Sequence, residues 1–111
     1  MRYMLLISDD PTGFSSEDTV TTEYAAFMQE FTDSKELAGG ERLRGAETAT
    51  LVRVRDGKTT TTDGPFAETR EQLGGYFIVD VPDLDRALEV AAKIPSARTG
   101  VIEVRPSWEL G

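Results

Sequence analysis

The order of strand and helix patterns along this chain of 111 residues predicts an α+β fold, and three observations carry the prediction. A strand pattern followed by an amphipathic helix pattern occurs twice, over residues 2–38 and 76–94. Two strand patterns, residues 2–8 and 76–81, are apolar on both faces, which is typical of central strands. Between the two halves, Asp56-Gly57 is a strong two-residue hairpin signal.

The first half of the chain is predicted to form a strand and a long helix. Turn-forming residues directly after position 8 end the strand, and a capping pattern near Ser15 starts the helix. Apolar side chains then recur at helical spacing, so we expect the helix to run to about Ala38 and to stop at Gly39-Gly40. The apolar positions are Val20, Tyr24, Phe27, Met28 and Phe31.

The middle of the chain, residues 41–62, is predicted to be extended. Val52 and Val54 alternate with arginines on the arm before the turn. The returning arm, Thr59–Thr62, has strand propensity but is polar on both faces. We therefore expect an exposed edge or a projecting hairpin arm.

The second half repeats the strand and helix order. Asp83 is a good N-cap for a helix that Pro95 closes, and residues 101–105 alternate as an edge strand does. The predicted buried stripe of this helix consists of Leu84, Ala87, Leu88, Ala91 and Ile94. The complete order is that of a ferredoxin-like βαββαβ fold with an inserted β-hairpin.

Such a fold leaves one face of its sheet without helices. An open face that carries leucine, isoleucine and valine side chains is too large an apolar patch for a stable monomer. We therefore expect a homodimer in which two copies pack sheet face to sheet face about a two-fold axis.

Composition excludes several classes of function. The formal net charge of −8 argues against nucleic-acid and membrane partners, because binding phosphate groups needs a basic surface. Without cysteine or histidine the chain cannot hold a disulfide, a thiolate zinc site or a Ser-His-Asp triad, and we expect no metal and no cofactor. The opening apolar run is too short for a signal peptide and no stretch reaches the length of a membrane span, so we expect a cytoplasmic protein.

The stretch Asp63–Tyr76 reads DGPFAETREQLGGY and resembles the signature of the DGPF branch of the YCII-related family. The opening Arg2–Leu6, the hairpin Val52–Gly57 and the ending Leu84–Arg105 resemble the same family. This resemblance covers nearly the whole chain. It implies one YCII-related domain over residues 1–111, with a ferredoxin-like fold that pairs into a dimeric α/β barrel.

The resemblance implies less about function. A number of members are encoded beside extracytoplasmic-function sigma factors, which implies a sigma-factor pathway as a source of partners. Some relatives are enzymes with a His-Asp pair, and one of these removes chloride from an aromatic ring. This chain has no histidine, and the matching region of its first helix offers Glu23 and Tyr24, so the pair is not inherited.

The candidate catalytic residues are Asp63, Glu68 and Tyr76, which together with Glu71 form the densest polar group beside a backbone break. Paired carboxylates can divide acid and base roles when burial separates their pKa values, and a neighbouring tyrosine can supply a proton. The alternative is structural, and we favour it over catalysis. In that case Asp63 caps a turn, Phe66 anchors the loop in the core, and the glutamate is solvated.

Candidate ligand-binding residues lie in three places. Tyr24 belongs to the first helix, Arg53 to the hairpin, and Phe66 and Arg70 to the loop that follows the hairpin. A guanidinium group on the hairpin suits a carboxylate or phosphate ligand, although cross-strand pairing is the more frequent role for such an arginine. A pocket lined by the loop would bind an unidentified small molecule.

Three functions remain open at this point. The leading hypothesis is a homodimer that binds a small molecule and has a regulatory role beside an extracytoplasmic-function sigma factor. The second is a cofactor-independent enzyme that acts on a small aromatic substrate with carboxylate and tyrosine acid-base residues. The third is a protein-interaction module that uses the exposed hairpin.

Overall fold

The computed structural model of the chain describes residues 1–10, 17–67 and 69–108, and for residues 17–21 the backbone alone. Its helices and strands follow the predicted order. They are β1 (Arg2–Asp9), α1 (Glu17–Asp33), β2 (Leu37–Arg42), β3 (Thr50–Arg55), β4 (Lys58–Asp63), β5 (Gln72–Asp80), α2 (Leu84–Ala92) and β6 (Val101–Pro106). A short 3₁₀ segment precedes β3 at Ala46–Thr48, and another precedes β6 at Pro95–Arg98.

Four of these strands form an antiparallel sheet in the order β2-β5-β1-β6. The two strands that the sequence predicted to be central, β1 and β5, are central, and β6 is at an edge as expected. Strands β3 and β4 form a separate two-stranded sheet. The prediction of a ferredoxin-like fold with an inserted hairpin is therefore confirmed.

The core lies between one face of this sheet and the two helices. Alternate residues of β1 and β5 point toward the helices, and the aromatic side chains of α1 pack against them. The ring centroid of Phe27 lies 4.8 Å from that of Phe31 and 5.0 Å from that of Phe77. The largest fully buried side chains are Phe31, Leu5, Ile94, Val79 and Val90.

The opposite face of the sheet carries the other residues of the same strands. Met4 and Leu6 of β1 and Tyr76 and Ile78 of β5 alternate with the core residues and are only partly buried in the single chain. An apolar sheet face of this kind is the surface that the sequence assigned to a second copy. The dimer itself stays a prediction.

Helix α1 ends at Asp33, so the prediction that it runs to about Ala38 is wrong. The chain leaves the helix through Lys35, which has a φ of 66°. The glycines expected to stop the helix lie inside β2 instead. A Cβ atom on Gly40 would lie 2.6 Å from both the Phe77 ring and the Tyr76 carbonyl oxygen, so β2 can approach β5 this closely only with glycine. The predicted helix start near Ser15 lies outside the described residues.

Helix α2 begins as predicted, because the Asp83 side chain accepts a hydrogen bond of 2.9 Å from the backbone N–H of Arg86. Its buried stripe differs in part from the prediction. Ala87, Ala91 and Ile94 are buried together with Val90, whereas Leu84 and Leu88 are about half exposed. At about 100° per residue these two leucines lie roughly 70° and 110° from the centre of the buried stripe, which explains their exposure.

The hairpin turns at Asp56-Gly57 as predicted, and both residues have positive φ angles, of 52° and 74°. Its root is fixed by a hydrogen bond of 2.8 Å from the Gly64 N–H to the Ala49 carbonyl oxygen. Nearly every residue of the arm is exposed. The radius of gyration is 15.8 Å, against about 13 Å for a compact domain of this length. The hairpin therefore projects from the domain.

Candidate functional site

A cleft of about 380 Å³ lies between α1 and the part of the sheet formed by β2 and β5. It is open to solvent, and several of its lining side chains on α1 and β2 are exposed. The lining residues on the helix side of the sheet are Ile7, Tyr24, Ala25, Met28, Gly40, Arg42, Gly75 and Phe77. The remaining lining residues are Glu41 of β2 and Gly74 and Tyr76 of β5.

The cleft exists because two strand positions beneath α1 have no side chain. Register pairs Arg42 with Gly75, Gly40 with Phe77, and Ile7 with Gly75, so all five positions belong to the face that the helices cover. The close approach of β2 and β5 requires these glycines, since a Cβ atom on Gly75 would lie 2.8 Å from the Glu41 carbonyl oxygen. The same absence of side chains leaves the space beneath Tyr24 and Met28 empty.

The walls of the cleft are mainly apolar and aromatic. The Tyr24 ring stacks on the Phe77 ring, with centroids 6.3 Å apart and an interplanar angle of 28°. The Met28 side chain is 46% exposed although it lies on a helix face that packs against the sheet. Small-molecule sites have this composition, with apolar walls and a few placed polar groups.

The Tyr24 hydroxyl is held in place by a hydrogen bond to the Ser96 hydroxyl, with an oxygen–oxygen distance of 2.6 Å. Ser96 belongs to the 3₁₀ segment before β6 and is only 3% exposed. Burial raises the pKa of Tyr24, and the Asp9 carboxylate raises it as well, whereas the hydrogen bond to Ser96 lowers it. Together these effects leave the pKa of Tyr24 raised. The phenol is therefore protonated at neutral pH and can donate a hydrogen bond.

The segment behind Tyr24 is fixed to the end of β1. The buried Asp9 carboxylate accepts a hydrogen bond of 2.6 Å from the Thr99 hydroxyl and one of 2.8 Å from the Asp10 backbone N–H. Gly100 lies so close to β1 that a Cβ atom on it would be 2.1 Å from the Ser8 carbonyl oxygen. Sequence reasoning did not identify this support, because nothing in the local pattern connects residues about 90 positions apart.

Arg42 is the basic residue of the cleft. It ends β2 on the helix side of the sheet, and its side chain is exposed. Within the described ranges it has no ion pair, although the chain has 20 acidic and 12 basic residues. The ligand-binding arginines expected from the sequence are Arg53 and Arg70. Only the register with Gly75 distinguishes Arg42 from them.

The structure places the predicted catalytic residues in different parts of the molecule. Tyr76 contributes to the cleft lining, but the alternation of β5 directs its side chain toward the open face of the sheet. Asp63 is the exposed last residue of β4 and does not line the cleft. Glu68 lies outside the described residues. The catalytic role of this group stays a prediction.

The predicted ligand-binding residues are also dispersed. Tyr24 lines the cleft, whereas Arg53 is on the exposed hairpin. The Arg70 guanidinium donates a hydrogen bond of 2.9 Å to the Asp10 carboxylate. Phe66 is 82% exposed, so the alternative in which it anchors the loop in the core is wrong for the single chain.

Over residues 1–10, 17–67 and 69–108, no three acidic side chains are grouped so that they could hold a metal ion. In those ranges no helix has both the length and the apolar character needed to cross a bilayer.

Comparison with known proteins agrees with this fold. The chain is 34% identical over 113 residues to an uncharacterized protein of Rhizobium meliloti (strain 1021), an alignment that covers 96% of this chain and 91% of the relative. Its structure is similar to that of 5-chloro-2-hydroxyhydroquinone dehydrochlorinase (TftG) from Burkholderia phenoliruptrix AC1100, solved in complex with 2,5-dihydroxybenzoquinone. That match has a TM-score of 0.60 at 13% identity and covers 100% of this chain and 96% of the other. The sequence profile of the YCII-related domain matches residues 1–110, and the chain belongs to this family.

Proposed function

We propose that this protein is a homodimer that binds a small aromatic molecule in the cleft between α1 and the β2–β5 part of the sheet. The observation that carries the proposal is the space beneath Tyr24, which Gly40 and Gly75 leave empty and which aromatic and apolar side chains surround. Its volume of about 380 Å³ is at the lower end of the range for small-molecule sites. An apolar cavity of about 150 Å³ already holds benzene in another protein, so one substituted ring fits.

Two further observations support this ligand class. The stacked pair of Tyr24 and Phe77 offers ring faces to a flat ligand. The dehydrochlorinase with a similar fold was solved with a benzoquinone bound. Since that protein shares only 13% identity with this chain, the second observation is an analogy of fold.

Binding is better supported than catalysis. The protonated Tyr24 can donate a hydrogen bond to a ligand oxygen, but Glu41, the carboxylate that the described residues contribute to the lining, belongs by register to the opposite face of β2. An enzyme on an aromatic substrate that uses Asp63, Glu68 and Tyr76 stays a prediction. The assignment to the DGPF branch and the regulatory role in a sigma-factor pathway are likewise proposals that rest on the resemblance of Asp63–Tyr76.

We propose that the open face of the sheet forms the interface of the homodimer. Met4, Leu6 and Ile78 lie there at the centre of the sheet, where water reaches apolar side chains in the single chain. Packing against the same face of a second copy would remove these side chains from water. Sedimentation of the protein at micromolar concentration tests the dimer, and a species with the mass of one chain would contradict it.

The hairpin gives a second candidate function. Val52 and Val54 are 63% and 56% exposed on one of its faces, and Arg53 and Arg55 extend from the other. A two-stranded ribbon is only marginally stable alone, so a protein surface that covers it would stabilise it. Pull-down with the full chain and with a variant shortened at residues 56–61 tests this function. If the hairpin binds a partner protein, the full chain should retain this partner and the shortened variant should lose it.

Two single tryptophan substitutions, on opposite sides of α1, test whether the ligand binds in the cleft. Ala25→Trp places an indole in the cleft, whereas Ala26→Trp places it on the side of α1 that faces the second 3₁₀ segment. Both positions are exposed, so both variants should fold. With benzoate and benzamide as probes and NMR titration as the readout, we expect Ala25→Trp to weaken binding at least about tenfold and Ala26→Trp to leave it unchanged. Equal binding to the two variants would contradict the proposal.

A further inference from the structure

We propose that the cleft selects an aromatic ligand that carries a carboxylate, and that Arg42 is the residue that recognises this charge. The inference rests on the proposed function and adds to it the charge of the ligand and the residue that determines specificity. It is carried by the position of Arg42 in β2, by the absence of an ion pair to it within the described residues, and by the neutral Tyr24 hydroxyl in the same lining.

The position of Arg42 follows from strand register. It pairs with Gly75 on the helix side of the sheet, so its side chain leaves the strand at a place where the neighbouring strand has no side chain. Nothing on β5 therefore fills the space beside the arginine stem. Arg42 and Phe77 line the same cleft, so a ring that lies on Phe77 shares the cleft with the arginine side chain.

Arg42 is available to bind an anionic ligand, because it has no ion pair within the described residues. Among the described residues, five of the 12 basic side chains form ion pairs: Arg70 with Asp10, Arg86 with Glu36, Lys93 with Glu30, Arg98 with Glu23 and Arg105 with Glu103. In the described part of the chain Arg42 has no such partner. Because the net charge of −8 repels anions, an anionic ligand requires a local cation, and the lining has this one.

Among the side chains that the structure describes, the groups that face Arg42 leave its charge uncompensated. Across the cleft, the Tyr24 hydroxyl is neutral and bonded to Ser96. The Asp9 carboxylate lies behind Tyr24, and Thr99 and the Asp10 N–H each donate a hydrogen bond to it. Glu41 occupies the opposite face of its strand. A carboxylate in the cleft would therefore meet one cation and one neutral hydroxyl.

Carboxylate is the anion that this pair fits best. A guanidinium group binds both oxygens of a planar carboxylate through two parallel hydrogen bonds, which a single phenolate oxygen cannot accept. A substituent on the ring that reaches Arg42 keeps the ring itself against the apolar walls. The expected ligand class is a single aromatic ring with one carboxylate.

The test compares benzoate with its neutral planar analogue benzamide, by isothermal titration of the full chain at low ionic strength. We expect the unchanged protein to bind benzoate about tenfold more tightly than benzamide, and this preference to shrink as salt is added. Arg42→Gln should abolish the preference while benzamide affinity stays the same. Arg44→Gln, an exposed arginine two residues further on and outside the cleft lining, should keep the preference.

The possible results separate the two proposals. If both probes bind the unchanged protein with equal affinity, or if Arg42→Gln weakens both equally, the role of Arg42 is overturned and the aromatic site stands. If Ala25→Trp leaves benzoate binding intact, the anion binds elsewhere and the inference is again overturned. Failure of both probes to bind the unchanged protein would overturn the proposed function together with the inference.

Discussion

The layer between the helices and the sheet has two ends that are built from different side chains. At the packed end, Phe31 of α1 and Val79 of β5 are almost completely inaccessible to water. At the other end, Gly40 and Gly75 occupy the corresponding strand face, and the helix above them leaves a cleft of about 380 Å³. The same two strands and the same helix thus form a core and a binding site. What differs between the ends is whether the strand positions beneath the helix carry side chains.

Truncation of an aromatic residue at each end should have the largest and most unequal effect. Phe31→Ala removes a ring that is 1% exposed, and we expect it to lower the free energy of unfolding by about 3–5 kcal/mol. Met28→Ala, one turn earlier on α1 but facing the cleft, should cost about 1 kcal/mol or less, because nearly half of Met28 is already exposed. Urea denaturation of the two variants measures the difference. Equal losses would mean that the cleft end is packed as tightly as the core.

A methyl group added to a glycine sharpens the comparison within the cleft. In Gly75→Ala the new Cβ would lie 2.8 Å from a backbone oxygen of β2, so the strands must separate, at a cost of about 1–3 kcal/mol. In Gly39→Ala the nearest atom is the Ile78 side chain at 3.9 Å, an ordinary contact, and stability should stay the same or rise by about 0.4–1 kcal/mol. Melting curves of the two variants provide the test. A Gly39→Ala variant that is destabilised while its oligomeric state stays the same would contradict the assigned register.

The sequence predicted the packed end better than the cleft. The apolar pattern of β1 and β5 correctly indicated central strands, because the apolar character of both strand faces is visible in the residues of each strand. The Asp56-Gly57 turn was equally local, since both residues adopt the positive φ angles that this pair favours. These features are encoded within a few neighbouring residues.

The parts of the site that escaped prediction depend on distant residues. Gly39-Gly40 reads equally well as a helix stop or as a place of close strand contact, and the position of β5 decides between them. Tyr24 was selected, but its partner Ser96 is 72 positions away. Arg42 was not selected, because only its pairing with Gly75 places it in the cleft. The candidate site therefore required the strand register, which hydrophobic periodicity alone does not supply.

The smallest expected effect concerns the ionisation of the Tyr24 phenol in the cleft. Burial raises the pKa of Tyr24 above its ordinary value of 10, so the folded protein holds this proton more firmly than the unfolded chain does. The stabilisation that results is complete below pH 10 and is lost as the pH rises through the higher pKa of the folded state. Tyr24→Phe should therefore flatten part of the decline in unfolding free energy above pH 10. A difference absorbance titration of the unchanged protein against Tyr24→Phe isolates the ionisation of Tyr24, and ionisation at its ordinary pKa of 10 would show that the phenol is freely solvated and would contradict the prediction.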